Sequence, residues 1–204
     1  MIVTIDREFG SGGRELGRRL AEALGIAYYD KEILEEIAKK SSYCLEYIES
    51  VSESKPMSLL PIHYGQTLSF GIDLTMQQNM DILEMQNTTI RDLASRSSCV
   101  IMGRASGYLL RDMDPFRIFV YADDDFKVKR FRKYGDENES DRSILKKLSD
   151  VDKRRRKYHE FVTGLKWGTP INYDLMVNTS SADLKALATA IAEYIRSVFK
   201  KNQG

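Results

Sequence analysis

The sequence predicts an α/β fold in three layers, with a five-stranded parallel sheet between two sheets of helices. Three observations predict it. Five short apolar runs rich in β-branched residues recur along the chain, amphipathic stretches separate them, and a glycine-rich turn joins the first run to the first helical stripe. The 204 residues suit a single domain, residues 1–204, and 42% apolar with 30% charged residues provide both a core and a solvated surface.

Ile2–Ile5 is the first strand. Glu15–Leu24 follows as a helix, with Leu16, Leu20, Ala23 and Leu24 on one face and Gly25 as its stop. Ile26–Tyr29 is the second strand. Asp30 then caps a helix that runs to about Lys40 and turns Ile33, Leu34 and Ile37 inward. Residues 41–76 have weak periodicity and are punctuated by Pro56, Pro61, Gly65 and Gly71, which predicts a mobile insert. A helix is expected over residues 77–97, a strand over 98–102, a strand over 117–121 and a helix over 123–134. The polar residues 135–141 precede a long charged helix over 142–162. Leu175–Asn178 is the fifth strand, and an amphipathic helix over 182–200 follows it.

The net charge is +1, so no global field favours nucleic acid, and any anion site must be built from local charge. Cys44 and Cys99 are the only cysteines, too few for a disulfide framework and without metal-ligand spacing. His63 and His159 share no close spacing. No apolar run approaches the roughly 20 residues that span a bilayer, and the chain opens on a strand without a basic, apolar leader. A cytoplasmic location follows as the expectation. A homo-oligomer is left open.

In parallel sheets of this kind, ligands bind beyond the carboxyl ends of the strands. There lies Asp6-Arg7-Glu8-Phe9-Gly10-Ser11-Gly12-Gly13-Arg14-Glu15. Glycines allow a tight bend whose successive N–H groups point inward, and the helix start adds partial positive charge. Gly10, Ser11, Gly12 and Gly13 are therefore candidates for phosphate binding, against the alternative of a plain strand-to-helix turn. The common phosphate-loop pattern, Gly-x-x-x-x-Gly-Lys-Ser/Thr, has a lysine that is missing here. In one register Gly13 takes the lysine place. In the preferred register Arg14 takes it and supplies a cation, while Glu15 replaces the magnesium-binding hydroxyl. Glu15 is then a candidate metal ligand, set against a plain surface role in the first helical turn.

Asp152-Lys153-Arg154-Arg155-Arg156-Lys157 is the second signal. Asp152 and Arg155 are three residues apart, so they share a helical face, and the aspartate can hold the guanidinium toward a transferring phosphoryl group. A solvated basic face and contact with nucleic-acid phosphates are the competing readings. After the third strand, Gly103-Arg104 allows close approach of a substrate and supplies a second guanidinium. Asp30, after the second strand, is either a helix cap or a substrate contact.

Taken together, these segments resemble the cytidylate kinase-like family, over nearly the whole chain. Tyr29-Asp30-Lys31-Glu32, Arg117–Tyr121, Trp167-Gly168 and Tyr173-Asp174 add to the resemblance. It implies a three-layer P-loop NTPase fold in which residues 41–76 form an acceptor-binding insert and residues 135–163 an arginine-rich lid. It further implies ATP and magnesium as cofactors and phosphoryl transfer to a nucleoside monophosphate. Arg14, Arg104, Asp152 and Arg155 would be catalytic, Gly10–Glu15 would hold the donor, and Asp30 and Arg104 would contact the acceptor. The sequence departs from true cytidylate kinases at Met102 and Ala105, which stand where those enzymes have aspartates, and at Lys31-Glu32. A non-catalytic nucleotide-binding protein is the alternative, and nucleic-acid binding a weaker one.

Overall fold

In the computed structural model, residues 1–53, 74–134 and 139–201 are described. Residues 54–73 of the predicted insert and residues 135–138 of the predicted lid lie outside them.

Apolar, β-branched residues form the strands because both sheet faces are covered. β1 (Ile2–Arg7) is central, β3 (Cys99–Met102) and β2 (Ala27–Tyr29) lie to one side, and β4 (Phe116–Tyr121) and β5 (Leu175–Asn178) to the other. All neighbours are parallel, with Thr4 opposite both Ile101 and Arg117. β1 reaches two residues past the predicted end, to Arg7, because the Glu8 amide still donates to the Val120 carbonyl at 2.9 Å.

α1 (Gly13–Leu24) and α8 (Leu184–Lys201) cover one face, burying Leu16, Leu20, Ile191 and Ile195 against Val3, Ile5 and Ile118. α2 (Glu32–Lys40), α3 (Leu45–Glu53) and α4 (Leu74–Arg96) cover the other, burying Ile33, Ile37, Ile48, Ile82 and Ile90 over Cys99 and Ile101. Each such fully buried side chain contributes about 1.5–3 kcal/mol. α3 departs from the expectation for residues 41–76: Leu45, Ile48 and Val51 recur every third residue and turn toward the core, enough to fix a helix. Cys99 is fully buried and Cys44 exposed.

The short α5 (Ser106–Leu109) follows β3. α6 (Asp124–Tyr134) follows β4, and α7 (Asp141–Thr163) is capped by Ser140, whose hydroxyl accepts from the Ser143 amide. Val128, Ile144 and Leu148 join α6 to α7, with Phe9 packed against them. α7 is also tied to α4, since Gln86 donates to the buried Tyr158 hydroxyl at 2.5 Å. Among the described residues, no helix is long and apolar enough to cross a membrane.

Candidate functional site

The bend between β1 and α1 lies at the carboxyl end of the central strand. Gly10 and Gly12 take positive φ, +80° and +78°, which side chains disfavour, and Gly12 is the N-cap of α1. Ser11 holds the bend from within. Its hydroxyl donates to the Glu8 carbonyl at 2.8 Å and accepts from the Gly13 amide at 3.3 Å, and its own carbonyl accepts from the Thr179 hydroxyl at 2.6 Å. Ser11 and Thr179 are both fully buried. Among the described residues, the amides of Gly10, Gly12, Arg14 and Glu15 donate to no protein acceptor. Orphan amides at a helix start are an anion site. They border a cleft of about 150 Å³ that Arg130 and Arg155 also line.

The predicted side chains around this bend are placed as follows. Arg14 turns outward: its side chain is 59% exposed, and its Nε lies 2.5 Å from the Asp30 Oδ2. Asp30 does not cap α2, whose N-cap is Lys31 without a side-chain bond. Its buried carboxylate faces Arg14 and Arg7 instead, with Arg7 Nη2 at 3.5 Å from Oδ1. Glu15 accepts from Arg19 at 2.9 Å and Arg130 at 2.6 Å. The Arg130 bond, with help from Arg19, holds its carboxyl below the usual range. Both oxygens are engaged, so a cation at Glu15 must displace a guanidinium. Among the described residues no three His, Cys, Asp or Glu side chains are grouped to hold a metal. The bend therefore fits phosphate oxygens better than it fits a protein-held magnesium, an ion that commonly rests on phosphates and water.

α7 clamps the bend. Asp152 accepts from the Phe9 amide at 2.7 Å, and Arg155 donates to the Arg7 carbonyl at 3.0 Å. The two side chains are 3.7 Å apart. Burial pushes the Asp152 carboxyl up to about 6, against the Phe9 amide and Arg155. Of the basic run, Lys153, Arg154, Arg156 and Lys157 are exposed, and Arg155 alone is drawn in. The solvated-face reading thus fits four residues of the run, while Arg155 turns toward the bend.

A smaller cavity, about 40 Å³, lies beside the bend and is lined by Asp6, Arg7, Arg104, Arg155, His159 and Trp167 among others. Gly103, Arg104 and Ala105 all take positive φ (+64°, +58° and +54°), a strained left-handed turn of the kind found at functional sites. The turn carries Arg104 back to donate to the Asp30 carbonyl at 3.2 Å. His159 is buried, with neither ring nitrogen hydrogen-bonded among the described residues, and Nδ1 is 3.6 Å from Asp6. Burial lowers its pKa, so the ring is neutral at pH 7. Tyr173 donates to Asp6 at 3.0 Å.

Arg104, Asp152, Arg155 and the glycines are brought together, with Arg14 and Asp30 at the rim. Sequence reasoning passed over Arg7, Lys127 and Arg130. Lys127 is buried on α6, 2.7 Å from Glu8. Burial favours its neutral form, but Glu8 and Asp124 together outweigh this and raise its pKa. The signal for α6 was the i, i+3 spacing of Lys127 and Arg130, which puts both on one helical face.

A sequence model described as the cytidylate kinase-like family matches residues 2–181. The chain is 22% identical to a protein called cytidylate kinase from Saccharolobus islandicus (strain L.S.2.15 / Lassen #1), over 100% of this chain and 95% of that one. A crystal structure of an uncharacterized protein from Eubacterium ventriosum ATCC 27560 is 28% identical, with a TM-score of 0.70 over 97% of this chain and 99% of that one. A gluconokinase from Sinorhizobium meliloti 1021, 14% identical, superposes with a TM-score of 0.55 over 100% and 97% of the two chains, a likeness of fold.

Proposed function

Because the chain belongs to the cytidylate kinase-like family, whose general chemistry is phosphoryl transfer, we propose that it moves a phosphoryl group from ATP to a nucleoside monophosphate. The observation that carries the reading is the row of amides at Gly10, Gly12, Arg14 and Glu15, unengaged among the described residues and opening on a cleft next to Arg155.

When bound, ATP with magnesium supplies the phosphoryl group. The bend's amides hold donor oxygens without rearranging, since Ser11 and Thr179 already fix the backbone. Arg155 lines both the loop cleft and the smaller cavity, so it stands where charge shifts from donor to acceptor. Asp152 and the Arg7 carbonyl keep its fork in place. The cavity beyond, with Arg104 on one wall, suits the acceptor's phosphate. Arg14, at the rim on Asp30, meets the donor from outside. A phosphate acceptor needs little proton removal, so transfer rests on positioning and charge.

The test is ADP release from purified protein with ATP, magnesium and each nucleoside monophosphate in turn. Arg155→Ala is expected to lower kcat by about tenfold or more with KM for ATP less affected. ATP binding without ADP release on any acceptor would favour a non-catalytic nucleotide-binding protein. Equal turnover by Arg155→Ala would remove its assigned role.

A further inference from the structure

We propose that Arg7, the last residue of β1, is the phosphate-gripping cation of the bend, in place of a lysine on the first turn of α1. The inference rests on the kinase reading above and adds a catalytic residue to it.

The packing at Gly13 carries it. An ideal Cβ on Gly13 would lie 2.6 Å from the Arg7 Cβ, closer than real Cβ atoms come, and a tight 3.1 Å from its Cγ. The clash is with the root of the Arg7 side chain, which cannot swing aside. A side chain at position 13 and one at position 7 therefore exclude each other. One register of the phosphate-loop pattern puts its lysine at position 13, the first residue of α1. The volume where that lysine would begin is filled by a cation that enters from the strand.

The rest of the Arg7 path agrees. Its stem crosses Gly13, and its Nη1 lies 2.2 Å from where a Cβ on Gly103 would sit. Glycine at both places leaves a channel for one arginine. The side chain is 12% exposed, against 59% for Arg14. Asp30 steadies the guanidinium at 3.5 Å, and the Arg7 carbonyl accepts from Arg155. Arg7 and Arg155 each line both the cleft at the bend and the adjoining cavity. Both arginines thus border the junction of the clefts, where a phosphoryl group passing between them would spread its negative charge over three equatorial oxygens. The planar fork of Arg7 can donate two parallel hydrogen bonds there, which a lysine cannot.

The test uses the full chain, with binding of a non-hydrolysable ATP analogue and of ADP measured by calorimetry, turnover by ADP release, and folding by thermal melt. Arg7→Gln keeps the stem and removes the charge. It is expected to melt near wild type, to lower kcat by about tenfold or more, and to weaken the triphosphate analogue more than ADP. Gly13→Lys alone is expected to lower the melting temperature, because the two roots collide. Arg7→Gly/Gly13→Lys relieves the collision and moves the cation to the helix, so it is expected to melt higher than Gly13→Lys and turn over faster than Arg7→Gly. Turnover by Arg7→Gln within roughly threefold of wild type, or no gain of the double variant over Arg7→Gly, overturns the proposal while leaving the kinase reading intact. A wild-type protein that binds neither nucleotide overturns both.

Discussion

Burial pushes the Asp152 carboxyl up to about 6, although it accepts the Phe9 amide and lies beside Arg155. Because the folded-state value lies above the ordinary aspartate value of 3.8, the folded chain binds the extra proton between about pH 4 and 6. Its contribution to stability is therefore present at low pH and lost as pH rises through about 6. Asp152→Asn keeps an oxygen for the Phe9 amide and removes the buried charge. It is expected to equal wild type in thermal melts at about pH 3.5 and to exceed it by about 1 kcal/mol at about pH 7.5, after allowance for solvent screening. Turnover should move the other way: the acid limb of the wild-type pH–kcat profile near 6 is expected to vanish in the variant. At this scale the sequence displayed its glycines and the Asp152–Arg155 pair, because both follow from fixed short spacing. It hid the role of Asp30 at the helix start, where a cap is the commoner fate. The carboxylate is taken instead by arginines 16 and 23 residues earlier. Arg7 was hidden for the same reason, since nothing local says that its stem fills the space over Gly13.

α3 shows what a weak pattern leaves out. Leu45, Ile48 and Val51 make a short stripe inside a stretch whose prolines and glycines suggested no regular structure. A nine-residue helix is marginal alone, and this one is held by contacts with α2, α4 and α7 that sequence spacing does not display. Ile48 is fully buried among Ile33, Ile37 and Ile82. Ile48→Ala is expected to cost about 2–4 kcal/mol in urea unfolding, a loss no surface helix would show. α7, in contrast, was legible nearly end to end, because Ser140 caps it and Gly164 stops it in the left-handed conformation at φ +69°. Its inward face was not legible as a whole. Arg155, Tyr158 and His159 line one cavity from successive turns, while the intervening Arg156 and Lys157 face water.

Across the molecule, β1 sits between β3 and β4, so the glycine bend emerges where connections leave the sheet toward opposite sides. That is the position at which parallel sheets gather ligands. The five strands were readable because each is covered on both faces and must be apolar throughout. Their lateral order was not readable, since it depends on which helices cover which face. Nor does the net charge of +1 announce an anion site. The cations around the bend come from β1, α1, α6 and α7, and each is matched by Glu8, Glu15, Asp30 or Asp152.

The two thiols differ sharply. Cys99 is sealed in β3 beneath the helices, where burial pushes its pKa up to about 11, whereas Cys44 stands in solvent between α2 and α3. A maleimide dye should thus mark the folded chain once, at Cys44, and the urea-unfolded chain twice, as counted by intact mass. The second adduct then tallies openings of the central sheet, and the first places a fluorophore beside the element that the sequence read least well.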